Sequence, residues 1–577
     1  MIVTPQLLWN GYDPFLTPLN ATLVSSSTTA DASVFLLYFN GDKQDNGCMA
    51  RIFARLYVPK NCQVDFNEYL LEGKREKGEG RSINSNNSDD KQDLDSLETK
   101  EFLLKRLKIG SITPNCVAVF DDIDKDTNAF DPKNYLNMGF SVLVVDYGGM
   151  SEHKSRFTIY PKCQSLANYF LNPDSDKETD VPQNSSWYIW QTVAMRSVVF
   201  CKKLGFLNVC MLGVGLGLEM PFKTSYFDGF ITAGATQFTG GVIERSNTAF
   251  IASLDCTSYA SNSNCPIFIQ GASNEQNSSL DALSELYEIA GDNARFSIIE
   301  RSNRNIDKIR ANNPAVWFKR ILSGAPIYNA PKLSAKGSQN KLYYNIDTNC
   351  SYDDIESVSL YVAHIQKNPA FRNWRKIDLQ SVGATEYLAH VPIIDCSLPV
   401  YAFCNVSYKC GLVFSSLVLS IVPKQLNITA EPLKIKRLIY DTSMGLSDFL
   451  ILDTTTASSD ALSLNEGAVK LKGVTSSTNS LTTFKLADPQ FTGPKGANLQ
   501  IMAYSKEPQT VKFIITTTSN TQYIATRECI SDTNWTKKIF ACADFKSSSG
   551  ALVDWQNILT FEIKSESEFL FNSMLWA

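Results

Sequence analysis

Histidine is almost missing from this chain: His153, His364 and His390 are the only three in 577 residues. Few side chains are therefore available as a base near neutral pH. None of the 14 cysteines falls in a Cys-x-x-Cys pair, so the ligand spacing of a zinc ribbon is absent. No apolar run reaches the ~18 residues that a membrane-spanning helix requires. The net charge of -5 gives no basic footprint for nucleic acid or an anionic membrane. The opening residues, "MIVTPQLLWNGYDPF", lack the basic start and long apolar core of a secretion signal. A cytoplasmic protein with reduced thiols and no metal or cofactor is the resulting expectation. The nearest cysteine pairs (Cys201 and Cys210, Cys256 and Cys265, Cys404 and Cys410) are read as core or surface thiols.

What is present is ordinary globular material, 44% hydrophobic and 20% charged, in a chain long enough for several domains. One segment stands apart. Residues 72–101, beginning "EGKREKGEGRS", are nearly all polar with mixed charge. Such a stretch buries too little apolar surface to offset its ordering entropy, and a flexible insertion is expected. From about 115 to 322 strand-like and helix-like runs alternate. "CVAVFDD" and "FSVLVVDYGG" are continuous apolar runs of the kind buried on both faces of a parallel sheet. "SSWYIWQTVAMRSVVFCKKLG" has helical periodicity, with Ser186 placed to cap its start and Gly205 to stop it. "NVCMLGVG", "FDGFITAGA" and "CPIFIQGAS" supply further strands. Alternation of this kind predicts an α/β fold with a mostly parallel sheet and helices on both faces. The pattern then changes. Short alternating strands from 341 to 424 predict a small β-sandwich of immunoglobulin-like type. Those from 430 to 577 predict a larger sandwich of jelly-roll type. The α/β domain is assigned to residues 1–335.

The order "LLWNGYDP", "ARLYVP", "CVAVFDD", "GFSVLVVDYGG", "WYIWQTVAMRSVVFCKKLG", "NVCMLGVGLGLEM" resembles the α/β-hydrolase superfamily, and within it acetyl xylan esterase and dienelactone hydrolase-like proteins. "NWRKIDL", "EYLAHVP" and "VYAFCNVSYKCGLVFSS" look like the immunoglobulin-like domain that follows such domains in some bacterial proteins. The last 150 or so residues, with Trp535, Phe540, Asp544, Phe545 and "DWQNILTFEI", resemble a carbohydrate-binding jelly roll.

The resemblance implies an ester hydrolase with a nucleophile, a histidine base and an orienting acid. It places the nucleophile in a Gly-x-Ser-x-Gly turn after a strand. Here that turn reads Gly213-Val214-Gly215-Leu216-Gly217, and no Ser, Cys, Thr or Asp lies between Leu212 and Met220. Gly215 cannot form an acyl-enzyme. The acid is implied after "CPIFIQG", where Asn274 stands beside Glu275, read as an exposed loop residue. The base is implied after "ARFSIIE", where Asn303 and Asn305 replace it. His153, in the loop after "VVDYGG", and Glu275 remain as candidates for a rebuilt site lined by Asp146 and Tyr147. The loop implied to help form the oxyanion hole carries Asp121, Asp122, Asp124 and Asp126. Carboxylates there oppose a developing oxyanion, and the run is read as a solvated acidic loop without an EF-hand pattern.

A catalytically inactive protein is therefore expected, acting as a scaffold that binds a partner, a carbohydrate or an acylated saccharide. Two alternatives stand beside it: an acetyl-esterase-type enzyme with a rebuilt site, and a structural assembly protein. Trp535 and Trp555 are candidate sugar platforms, but both lie in strand-like segments where core packing is the expected role.

Overall fold

A computed structural model of the chain describes residues 3–43, 47, 49–60, 64–67, 106–109, 115–161, 182–237, 248–275, 279–303, 308–338, 340–350, 352–364, 366–393, 395–429, 435–451, 461–529 and 534–577. The polar segment 72–101 lies outside the described residues.

The α/β part is built on one nine-stranded sheet. Its strands are β1 (Thr22–Thr28), β2 (Ala32–Lys43), β3 (Met49–Pro59), β4 (Asn115–Phe120), β5 (Ser141–Asp146), β6 (Asn208–Val214), β7 (Ala233–Gln237), β8 (Ile267–Ala272) and β9 (Ala294–Ile299). They lie in the order β1-β2-β3-β5-β4-β6-β7-β8-β9. The first three strands and β5 pair antiparallel, while β5, β4, β6 and β7 run parallel. This mostly parallel sheet with helical crossovers is the α/β architecture that the alternation of strand and helix predicts. The runs "CVAVF" and "SVLVVD" are buried throughout, as strands covered by helices on both faces must be. "FDGFI" is different: it forms a turn, and β7 starts only at Ala233.

Helix α1 (Ser186–Leu204) packs on the sheet against β2, β4 and β6. Its cap is Ser185 rather than Ser186, with the Ser185 side chain accepting from Trp187 N. Gly205 ends it with φ of 100°, a left-handed position that glycine adopts at no steric cost. The helix is buried almost all round and even encloses Arg196. That guanidinium donates from Nε to Asn40 O and from Nη1 to Pro14 O, with Asp42 at 3.6 Å from Nε. Helix α2 (Glu219–Ser225) follows β6 directly and holds a buried ion pair, Lys223 Nζ to Glu219 Oε2 at 2.7 Å.

Two antiparallel sandwiches complete the chain. The first pairs a four-stranded sheet, which includes Lys332–Ser338, Lys341–Asp347 and Glu386–Pro392, with a five-stranded sheet around Ile355–His364 and Val400–Tyr408. Leu342, Tyr344, Leu360, Val362, Val391 and Cys404 fill its core. The second has two six-stranded sheets. Its core joins Phe513, Phe540, Phe561, Phe571, Trp555 and Trp576.

The chain divides into two compact units. One comprises residues 1–269, 289–294 and 314–327; the other comprises 270–288, 295–313 and 328–577. The second unit thus takes in the end of β8 from Gln270, β9 from Arg295, the segments that follow each, and both sandwiches.

Candidate functional site

Strand β6 ends at Val214, and the chain turns through Gly215 at φ of +58° before α2 begins. This is the sharp strand-to-helix turn on which a nucleophile is presented in the implied family. Gly217 fits only as glycine, because a Cβ there would stand 2.1 Å from Phe120 O. At Gly215 the obstacle is more informative. A Cβ would lie 2.7 Å from Asp122 Cγ and 2.8 and 2.9 Å from its two carboxylate oxygens. The space in which a nucleophile's side chain would begin is filled by a carboxylate from the loop after β4.

That carboxylate also takes the local backbone donors. Asp122 Oδ1 accepts from Leu216 N at 3.4 Å and from Ile123 N at 3.3 Å. The N–H of the residue after the nucleophile is one of the two oxyanion donors in the implied family; here it faces a carboxylate. Burial pushes the Asp122 carboxyl above its ordinary range, and the Leu216 N–H pulls it partly back. The acidic run is therefore not a uniformly solvated loop. Asp126 is tied at the surface to the next loop, accepting from Ser155 N at 2.8 Å and Ser155 Oγ at 2.7 Å. Burial opposes its charge, but these hydrogen bonds win, and its carboxyl sits below the ordinary value. Asp124 is the exposed member.

Asp146 and Tyr147, at the end of β5, are both buried. Asp146 is paired with Lys154 Nζ at 2.6 Å and accepts from Thr158 N at 2.5 Å. Its charge is committed to structure. The Tyr147 hydroxyl is buried with no hydrogen-bond partner among the described residues. Burial raises its pKa, and the neighbouring charge of Asp122 raises it further. His153 lies in the loop just beyond, with its side chain 71% exposed and Nε2 3.3 Å from Glu152.

The acid position lies in the second unit. Asn274 is buried, and its amide nitrogen donates to Ala370 O at 3.2 Å and to Arg372 O at 2.9 Å. Its Oδ1 accepts from Ser273 Oγ at 2.8 Å. All its polar capacity is spent on holding the segment that leads to Trp374. An aspartate could not make the two donations. Glu275 is 1% exposed, which corrects the expectation of an exposed loop residue. The cause lies in the next strand: Ser273 N donates to Ile299 O and Asn274 N to Ser302 O, so the loop is drawn inward. At the base position Asn303 is buried; Asn305 lies outside the described residues.

Neither tryptophan offers a free ring. Trp555 is 1% exposed, packs against Trp576, and donates from Nε1 to Ala497 O at 2.7 Å. It sits in a loop rather than in a strand. Trp535 is half-buried, lies over Gly467 and Gly473, and donates to Ala468 O at 2.9 Å. The aromatic pair open to solvent is elsewhere. Tyr343, 40% exposed, has its ring centroid 5.8 Å from that of His390. Both lie on the outer face of the four-stranded sheet, where Lys336 pairs with Tyr343. This pair could not be found from sequence without the strand register. Among the described residues no group of three or more His, Cys, Asp and Glu could hold a metal ion. No helix among them is long and apolar enough to cross a membrane.

No protein-family model matches the chain, and no curated protein does. Solved structures resemble it distantly. Acetyl xylan esterase 1 from Thermoanaerobacterium sp. JW/SL YS485 is 12% identical, covers 56% of this chain and 95% of its own length, and gives a TM-score of 0.36. A cold-adapted esterase from an Arctic intertidal metagenomic library is 10% identical over 52% of this chain and 97% of its own, with a TM-score of 0.29. Acetyl xylan esterase from Paenibacillus sp. R4 is 10% identical over 54% of this chain and 90% of its own, with a TM-score of 0.32. At such scores the fold assignment rests on the strand order of the sheet itself.

Proposed function

We propose that this chain is a non-catalytic protein on an α/β-hydrolase-like fold, and that its role is binding. The observation that carries this reading is the Asp122 carboxylate. It occupies the space beside Gly215 where a nucleophile would begin, and it accepts from the Leu216 N–H that would otherwise face an oxyanion. Serine-type hydrolysis needs a nucleophile and unblocked donors aimed at developing negative charge. Neither is available at this turn. The acid position supports the same reading, since Asn274 serves as a double donor to carbonyls. A base at His153 would have to act from an exposed loop, beside Glu152.

The binding role falls to the sandwich unit in this account. Its exposed Tyr343 and His390, with Lys336 alongside, form a face on which a sugar ring can stack and hydrogen-bond. Trp535 and Trp555 do not offer one. The test has two parts. Purified protein and its His153→Ala variant are assayed for hydrolysis of p-nitrophenyl acetate and acetylated xylan, where no turnover above buffer is expected. Binding to acetylated xylan is then measured by calorimetry for the native chain and for Tyr343→Ala. Binding that Tyr343→Ala weakens at least tenfold supports the sandwich face. Turnover lost with His153 overturns the non-catalytic reading, and absence of binding overturns the saccharide assignment alone.

A further inference from the structure

Asn274, the residue that stands where an acid would be expected, lines one small cavity of the second unit. Its volume is about 10 Å³, and its walls include Asn274, Arg301, Asn373, Trp374, Asp448 and Phe484. That is room for a single water-sized particle.

Most polar groups around it are already committed. The Asn274 amide is spent on two carbonyls. Arg372, also on the wall, is held bidentately by Asp281 at 2.6 and 2.7 Å. The Trp374 indole N–H points to Ser273 O. Two donors are left over. The Arg301 guanidinium makes no hydrogen bond among the described residues, although its side chain is only 17% exposed; its one ion pair is with Asp448, at 3.6 Å. The Asn373 amide nitrogen is buried with no partner.

Charge is out of balance in the same place. Asp448 is claimed by Lys485 at 2.5 Å, so Arg301 and Lys485 share one carboxylate. Arg375 and Asp488 nearby cancel each other. His364, which faces them, stays neutral down to about pH 4 because it is buried. Among the described residues one positive charge remains, in a wall that also carries Trp374, Phe449 and Phe484. Arg301 is also held in the left-handed backbone region, at φ of 53°, by a hydrogen bond from its N–H to Ser273 Oγ at 2.6 Å. Such positions persist when the surroundings over-determine them, and they cluster at ligand sites.

We propose that this cavity is a binding site for one monatomic anion, chloride, held by Arg301 and the Asn373 amide. Its small volume favours a monatomic anion over phosphate or a carboxylate. The anion takes the buried Asn373 donor, pairs with the Arg301 guanidinium and neutralises the surplus charge. The proposal stands apart from the non-catalytic reading.

Bromide tests it directly. Crystals of the full chain are soaked in sodium bromide, and an anomalous peak is expected in contact with both the Arg301 guanidinium and Asn373 Nδ2. In solution, sodium chloride should raise the melting temperature by about 2 °C at ten times the half-saturating concentration. Sodium gluconate at equal ionic strength should not, and Arg301→Gln should abolish the difference. A cavity holding only water in the bromide-soaked crystal overturns the site even if Arg301→Gln fails to fold. An equal response to chloride and gluconate overturns it as well.

Discussion

Restoring the acid should damage this protein. Asn274→Asp is nearly isosteric and recreates the residue that a triad would require, yet the surroundings are built for an amide. Two donated hydrogen bonds, to Ala370 O and Arg372 O, are lost. Each is worth about 1 kcal/mol net. A buried carboxylate is then turned toward two carbonyl oxygens, a like-signed contact that solvent cannot screen. An uncompensated buried charge costs about 3–5 kcal/mol, of which Arg301 on the same cavity wall offsets a part. The whole effect is expected at about 3–5 kcal/mol at pH 7, because the new carboxyl relieves part of the cost by taking up a proton. That gives a sign for the pH dependence. The new carboxyl is raised above its unfolded value, so the folded state binds more protons between the two pKa values. The loss therefore shrinks as pH falls toward 4. Asn274→Ala, which removes the bonds without adding charge, should cost about 2 kcal/mol with no such pH trend. Urea unfolding at pH 4.5 and pH 7 measures all three proteins. An Asn274→Asp variant as stable as the native chain at pH 7 would refute the double-donor role.

Further expectations follow from single observations. Gly215→Ser puts a Cβ against Asp122 and a side chain at φ of +58°, and should destabilise by about 2–4 kcal/mol; adding Asp122→Ala should recover at least half of this, and a double-mutant cycle showing no coupling would contradict the contact. His364 resists protonation until about pH 4, whereas an unfolded histidine protonates near 6.5. The unfolded state therefore binds more protons between these values, so stability rises with pH across that window, by about 1–3 kcal/mol. His364→Gln should flatten that rise in urea titrations. Asp42 has the opposite sign: burial lifts its carboxyl to about 6, so its contribution falls as pH rises through the range from 4 to 6. Asp42→Asn should remove that fall. Lys154→Met strands the Asp146 charge and should cost about 3–5 kcal/mol by chemical denaturation.

The legible parts of the fold were those with local signals. Buried strands such as Ser141–Asp146 and the helix ending at Gly205 announce themselves by continuous apolar character, periodicity and a terminal glycine. The glycine at the elbow was equally plain. What the sequence could not convey was direction. Asp121 to Asp126 read as a charged run, and nothing local says that Asp122 turns in beneath Gly215. Asn274 takes its meaning from carbonyls at Ala370 and Arg372, roughly a hundred residues away. Glu275 reads as exposed for a related reason, because its burial depends on backbone bonds to the end of the next strand. Trp555 has strand-like neighbours, yet its loop folds the indole into the sandwich core. The exposed pair Tyr343 and His390 needs the register between two strands nearly fifty residues apart.

The most direct measurement is fluorophosphonate labelling of the native full-length chain, followed by intact-mass analysis and peptide mapping. The reagent reports an activated serine whatever the natural substrate. The account predicts no adduct above that formed by the heat-denatured protein. A stoichiometric adduct on one serine would contradict it, and would mean that a nucleophile from outside the Gly215 turn has rebuilt the site.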